Sequence, residues 1–262
     1  MTDRARVDSI PAPGAPDYSP ERRQVALRRV NRRGFRWRLL RDWAQSFVIA
    51  VALFAVLHAF FVEGVRIPSG SMERTLLIGD FLLVNKLAYG AEVPFTNHRL
   101  PALEHPQRGD IIVFRPPKDP STLYIKRIAG VPGDTLAMRD GVLLIDGRAQ
   151  AEPYATHSDT SADPAPEEFR WQRGYLVPQG SVEDGDHPSR NNWGPLVVPE
   201  QSYFVLGDNR DNSLDSRYWG FVPARSIEGR PIFVYYSYEP DTTGRFPLLT
   251  HVRWHRIGER VE

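Results

Sequence analysis

Three short stretches hold residues whose types and spacing suit nucleophilic and proton-transfer chemistry. The first is Ile67-Pro68-Ser69-Gly70-Ser71-Met72, where two hydroxyls flank a glycine. Val65, Leu76 and Leu77 add to its apolar surroundings, which a plain Ser-Gly linker would seldom have. The second is Tyr124-Ile125-Lys126-Arg127-Ile128. In a strand, Tyr124, Lys126 and Ile128 share one face, and Ile125 and Arg127 the other. On a buried face, desolvation disfavours the ammonium and lowers its pKa. A neutral amine at working pH can take the proton of a serine hydroxyl. The plain alternative is an edge-strand lysine with a solvated head. The third stretch runs from Gly207 to Gly220, GDNRDNSLDSRYWG. Its alternating charges predict internal Asp–Arg pairs. Tyr218 and Trp219 predict that the loop packs against the body instead of lying free in water.

Other chemistries leave no trace. There is no H-E-x-x-H, no Walker-type glycine loop, no G-x-G-x-x-G and no G-x-S-x-G elbow. With no cysteine there is no disulfide framework, thiolate nucleophile or Cys-based metal site. The histidines His58, His98, His105, His157, His187, His251 and His255 are scattered without ligand spacing. A Ser-His-Asp triad is recognised by geometry and not by local sequence, so it stays open at this stage. A net charge of +1 argues against a nucleic-acid binder driven by bulk charge.

The elements that must position these residues are mostly strands. Phe81–Val84, Ile111–Phe114, Tyr124–Ile128, Val142–Ile145, Tyr203–Leu206 and Ile232–Tyr236 are short and rich in β-formers. Turn signals separate them, among them Pro132-Gly133-Asp134, Asp140-Gly141 and Asp146-Gly147. The pattern predicts an all-β, mainly antiparallel body over 63–147 and 201–262. Residues 148–200 are polar and rich in proline and acids, and read as a smaller inserted subdomain of long loops and ribbons.

Ahead of this body the chain is asymmetric. Residues 1–20 carry Pro11, Pro13, Pro16 and Pro20 and read as a disordered tail. Residues 21–41 hold nine arginines and one acid, Glu21. From Trp43 to Val62 no residue is formally charged. About 20 apolar residues suffice for a helix to cross a ~30 Å hydrocarbon core, so 43–62 is expected to be a transmembrane helix. The arginine block keeps 1–42 in the cytoplasm and places the rest on the exported side. Ser71 then lies nine residues past the span, within about 32 Å of the membrane edge along the chain.

Four segments in this order resemble the signature boxes of bacterial type I signal peptidases, membrane-bound serine proteases with a Ser–Lys dyad. Ile67–Gly90 (IPSGSMERTLLIGDFLLVNKLAYG) is similar to the nucleophile box and the strand after it. Arg108–Phe114 (RGDIIVF), Tyr124–Asp134 (YIKRIAGVPGD) and Gly207–Val222 are similar to the next three. The resemblance implies Ser71 as nucleophile and Lys126 as general base. It implies Ser69 in the oxyanion hole beside the Ser71 N–H, and Ser213 bonded to the lysine amine. Arg127, Asp208, Arg210, Asp215 and Arg217 match positions that brace the site by ion pairs. Val65, Ile67, Met72, Leu76, Tyr124 and Ile125 match the substrate pocket, which admits small side chains and favours Ala-x-Ala before the cut. Signal-peptide-bearing preproteins and the lipid bilayer are the implied partners, without nucleic acid, metal or organic cofactor. The implied location is the bacterial inner membrane, with the catalytic domain on the periplasmic side.

Two positions depart from the family pattern. Arg74 stands where a proline is usual, and a lost φ restraint is expected to loosen the turn beyond the nucleophile. Val65 stands where some members carry an aromatic, which widens the pocket. A self-cleaving repressor-type Ser–Lys peptidase would lack the anchor. An inactive membrane-anchored scaffold or chaperone that binds exported segments is the alternative from a different class.

Overall fold

The computed structural model describes residues 37–56, 61–93, 96, 98–159, 163–177, 188–240 and 247–262. The expected disordered tail and the basic segment as far as Arg36 lie outside the described residues, as does His58. The chain divides into two units, Met1–Ala55 and Val56–Glu262.

Helix α1, Trp37–Val56, belongs to the first unit but for its last residue. At 1.5 Å per residue its 20 residues span about 30 Å, the thickness of a bilayer core. Among the described residues the helix already runs from six residues before the expected Trp43, and 57–60 lie outside the described residues. Arg38, Leu39, Leu40 and Arg41 are good helix formers with no breaker among them, so the helix continues into the basic flank. Val62 instead opens a strand.

The second unit is β-rich. Its strands are β1 (Val62–Arg66), β2 (Asp80–Asn85), β3 (Ile111–Phe114), β4 (Tyr124–Gly130), β5 (Thr135–Arg139) and β6 (Val142–Ile145), then β7 (Arg148–Ala149), β8 (Trp193–Val197), β9 (Ser202–Leu206), β10 (Val222–Pro223) and β11 (Ile227–Ser237). Among the described residues they form a seven-stranded sheet, β1-β2-β11-β3-β4-β9-β10, and a four-stranded sheet, β7-β6-β5-β8. All the strand pairs are antiparallel. The fold is thus the expected all-β, antiparallel one. The long β11 pairs with β3 through Ile227 and Gly229 and with β2 from Arg230 onward, so it ties the two halves of the larger sheet together.

The smaller sheet is joined by tight turns. Asp140-Gly141 and Asp146-Gly147 all have positive φ (49°, 79°, 50° and 74°), the two-residue hairpin geometry that Asp-Gly favours. The expected boundary at 147/148 falls inside the second of these hairpins. Residues 135–145, read from the sequence as part of the main body, form one sheet with 193–197. Apolar packing follows the sheets. Val65, Ile67, Met72, Leu76, Leu82, Ile125 and Val234 fill one cluster. Leu136, Met138, Trp193, Leu196 and Phe204 fill a second beneath the smaller sheet.

Candidate active site

Ser71 sits in a single 3-10 turn, Gly70–Met72, directly after β1. Pro68 stiffens the approach, and Met72 drops into the core and fixes the turn from below. Lys126 comes from β4, whose residues 124–127 pair throughout with β3. The two side chains meet although 55 residues separate them. Lys126 Nζ donates to Ser71 Oγ at 2.7 Å and to the carbonyl of Ile125 at 2.9 Å. Lys126 is only 4 % exposed. Burial lowers its pKa from 10.5 to about 8; Asp215 and Asp208 pull it back up, while Arg217 pushes it further down. The amine is thus within reach of the neutral form near neutral pH, on a strand buried on both faces from Ile125 onward.

Ser69 precedes the turn in extended backbone, and its hydroxyl does not cap the turn. That hydroxyl stands 3.5 Å from Ser71 Oγ. The third stretch closes the far side. The backbone N–H of Asn209 donates to the Ser71 carbonyl at 3.1 Å. Gly207 passes so near that a Cβ on it would fall 2.5 Å from the same carbonyl oxygen. Only glycine allows that approach.

Ion pairs hold this loop. Arg127 grips Asp208 through two bonds of 2.9 Å, and Thr75 donates its hydroxyl to the same carboxylate at 2.6 Å. Arg217 grips Asp215 through two bonds of 2.8 Å, an internal pair of the expected kind. Burial pushes the Asp215 carboxyl up, but Arg217, the Gly207 N–H and the Ser213 hydroxyl outweigh it and hold the group below the usual carboxylate range. Arg210 does not pair within the loop. It reaches Glu152 through two bonds of 2.7 Å. The bond expected between Ser213 and Lys126 is not formed. The buried Ser213 hydroxyl makes no hydrogen bond of good geometry, and its influence falls on Asp215 instead of the amine.

A cavity of about 470 Å³ opens over Ser71 and Lys126. Val65, Ile67, Met72, Tyr124 and Ile125 line it, together with Leu123 and Leu214, which sequence reasoning missed. Leu76 does not line it; this residue is 1 % exposed and belongs to the core below Met72. No histidine is among the lining residues. Among the described residues no group of three or more His, Asp or Glu could hold a metal ion.

The expected loosening at Arg74 is absent. The turn is closed by Glu73 N–H to Gly70, Thr75 N–H to Met72 and Leu76 N–H to Met72. Arg256 anchors it from outside, bonded to the Thr75 carbonyl and to buried Asp80. Arg74 has a φ of 86°, which a proline ring cannot adopt.

A family model described as "Signal peptidase, peptidase S26" matches residues 40–236. The chain belongs to the S26 signal peptidase family. Signal peptidase I of Pseudomonas aeruginosa is 36 % identical over 227 residues, 82 % of this chain and 78 % of that one. Signal peptidase I of Aquifex aeolicus is 34 % identical over 241 residues, 79 % of this chain and 85 % of that one. A crystal structure of a signal peptidase I from Enterococcus faecalis aligns at 35 % identity and a TM-score of 0.33, covering 49 % of this chain and 98 % of that one. As an S26 member the chain is a peptidase, and the cavity over Ser71 and Lys126 is its candidate active site.

Proposed function

We propose that this S26 peptidase removes signal peptides with Ser71 as nucleophile and Lys126 as general base, cutting after small residues of the Ala-x-Ala type. The observation that carries the reading is the 2.7 Å contact between the buried Lys126 amine and the Ser71 hydroxyl. Neutral Lys126 takes the hydroxyl proton as Ser71 Oγ attacks the scissile carbonyl carbon. The carbonyl oxygen gathers negative charge between the Ser69 hydroxyl and the Ser71 N–H. Protonated Lys126 then gives its proton to the leaving amine, and the C–N bond breaks. A water loses a proton to Lys126 as it attacks the acyl carbon, and Lys126 returns that proton to Ser71 Oγ as the ester bond breaks.

Free strand edges support substrate binding in extended form. β1 ends the larger sheet, so one of its edges is open. β9 pairs with β4 only from Arg127 onward, which leaves an edge open beside Tyr124–Lys126. Both edges border the cavity, and a signal-peptide segment lying between them bonds through its backbone. Alternate side chains of a strand point the same way, so two small residues spaced by one face the wall of Val65, Ile67, Met72 and Ile125.

The same reading makes α1 a membrane anchor, with the arginine-rich flank in the cytoplasm and the catalytic domain on the exported side. The domain plan of tail, anchor, β-rich catalytic domain and insert belongs to this proposal. The deciding assay incubates purified full-length protein with a preprotein carrying Ala-x-Ala, and reads the mature N-terminus by mass. Wild type should cut after the second alanine, and folded Ser71→Ala and Lys126→Ala should not. Cleavage by Ser71→Ala removes the dyad. A reporter active only in the exported space, fused after Glu262, should be active; silence there with an active cytoplasmic reporter reverses the orientation.

A further inference from the structure

The start of the insert lies along the active-site loop. The Thr156 N–H donates to the Asp208 carbonyl at 2.8 Å, and the Arg210 N–H donates back to Thr156 at 2.9 Å. Thr156 and Asn209 thereby form a parallel bridge. Further along, the Asp159 N–H donates to the Asp211 carboxylate at 2.7 Å. Two side chains grip more deeply. Glu152 holds the guanidinium of Arg210, and this side-chain pair is only 9 % and 2 % exposed. Tyr154 lays its ring 3.9 Å from the guanidinium carbon of Arg127 and donates its hydroxyl to Glu152 at 3.1 Å.

Each arm leads to a carboxylate near the lysine. Arg210 donates to the Gly207 carbonyl and accepts a bond on its own carbonyl from Arg217, the partner of Asp215. Arg127 is the partner of Asp208. We infer that Glu152 is a positioning residue for the Ser71–Lys126 dyad, acting with Tyr154 through Arg210 and Arg127 to fix the loop that carries Asp208, Ser213 and Asp215. The inference rests on the dyad reading. It assigns the insert a part in catalysis although no residue of 152–159 lines the cavity.

The physical reason is that Arg210 is a buried cation with one carboxylate partner. Without that partner it must draw water or turn toward Asp215. Either movement disturbs Gly207 and the backbone contact to Ser71. A displacement of about 1 Å far from the chemistry can cost up to 10²-fold in rate. The charges facing Lys126 also change. Asp215 and Asp208 favour its ammonium and Arg217 opposes it. An uncompensated Arg210 on the same loop adds a second opposing charge, so the rising limb of the pH–rate profile moves to lower pH.

The test uses full-length Glu152→Gln in the preprotein assay. The expected result is kcat lowered about 10- to 100-fold with KM little changed, and the rising limb displaced to lower pH. Tyr154→Phe keeps the ring over Arg127 but loses the bond to Glu152, and should lower kcat by a smaller factor in a folded protein. It serves as the test if Glu152→Gln does not fold. Glu167→Gln, on an 80 % exposed side chain of the same insert, should behave as wild type. Wild-type kcat and pH limb in both Glu152→Gln and Tyr154→Phe, even with a lowered Tm, overturn the inference. In the same assay an active Ser71→Ala refutes the dyad instead, so the two failures are told apart.

Discussion

Gly207 lies against Ser71 so closely that a single added methyl group would sit 2.5 Å from the Ser71 carbonyl oxygen. The same methyl would overlap the Ser213 side chain. The loop and the turn that carries Ser71 therefore cannot both keep their places once position 207 has a Cβ. Gly207→Ala should lower kcat by about 10²-fold or more while circular dichroism stays that of a folded β protein. Near-wild-type turnover would mean that the loop can retreat without moving Ser71.

Ser69 offers a hydroxyl with no capping duty 3.5 Å from Ser71 Oγ. If it donates to the oxyanion, its effect appears only in the transition state. Ser69→Ala should lower kcat by about 10²–10³ with little change in KM or Tm, and Ser69→Thr should keep much of the activity. Equal rates for Ser69→Ala and wild type would leave the oxyanion to backbone donors.

The Arg127–Asp208 pair is almost wholly buried, with side chains 6 % and 1 % exposed. Removing one charge of such a pair strands the other. Asp208→Asn should destabilise the folded domain by about 3 kcal/mol, read from urea unfolding, and should lower activity because Arg127 and Thr75 are left with one acceptor oxygen between them. A loss below about 1 kcal/mol would show that Arg127 finds water or the Glu262 carbonyl sufficient.

How much of this was legible in the sequence differs from part to part. Ser71 and Lys126 stand in local motifs, and local features survive reading one residue at a time; that β4 is buried on both faces is set by its neighbours in the fold. β3 and β6 were read to the residue because each is a short apolar run between turn signals. β1 was hidden, since Val62–Arg66 follows an apolar run with no break and only its pairing with β2 sets it apart. β8 was hidden by Gly194-Pro195, which argue against a central strand. The alternating charges of 207–217 pointed to ion pairs but not to partners. Only Asp215–Arg217 closes within the loop, while Asp208 and Arg210 look 81 and 58 residues away. Nothing local in Glu152-Pro153-Tyr154 marks it as the end of those pairs.

Arg74 carries a φ of 86°, where an L side chain is strained and glycine is not. Its side chain is exposed and the turn around it is already closed by backbone bonds. Arg74→Gly should raise stability by about 1 kcal/mol in thermal or urea unfolding and leave kcat within two-fold. A lower Tm in Arg74→Gly would mean that the arginine contributes more through its side chain than the backbone strain costs.

Lys126 links catalysis to stability through the sign of its shift. Burial lowers its pKa from 10.5 to about 8, so the folded state resists protonation that the unfolded chain accepts freely. Between those two values the unfolded state binds more protons, and stability must rise with pH across that window. Below about pH 8 both states are protonated, and the folded state carries the full cost of a buried ammonium, about 3 kcal/mol. Lys126→Met replaces the amine by an apolar side chain of similar length. It should be inactive, yet more stable than wild type at pH 7, with the gap closing as pH climbs from 8 toward 10.5. With the neutral amine acting as the proposed base, wild-type activity should rise over the lower part of the same window. Lys126→Arg keeps a charge that cannot be shed in this range, so it should be inactive at every pH and gain none of the stability. Urea unfolding of the three proteins at pH 7, 8.5 and 10 provides the measurement. A gap between wild type and Lys126→Met that is constant with pH would mean that Lys126 titrates alike in both states, and the proton acceptor for Ser71 would have to be another group.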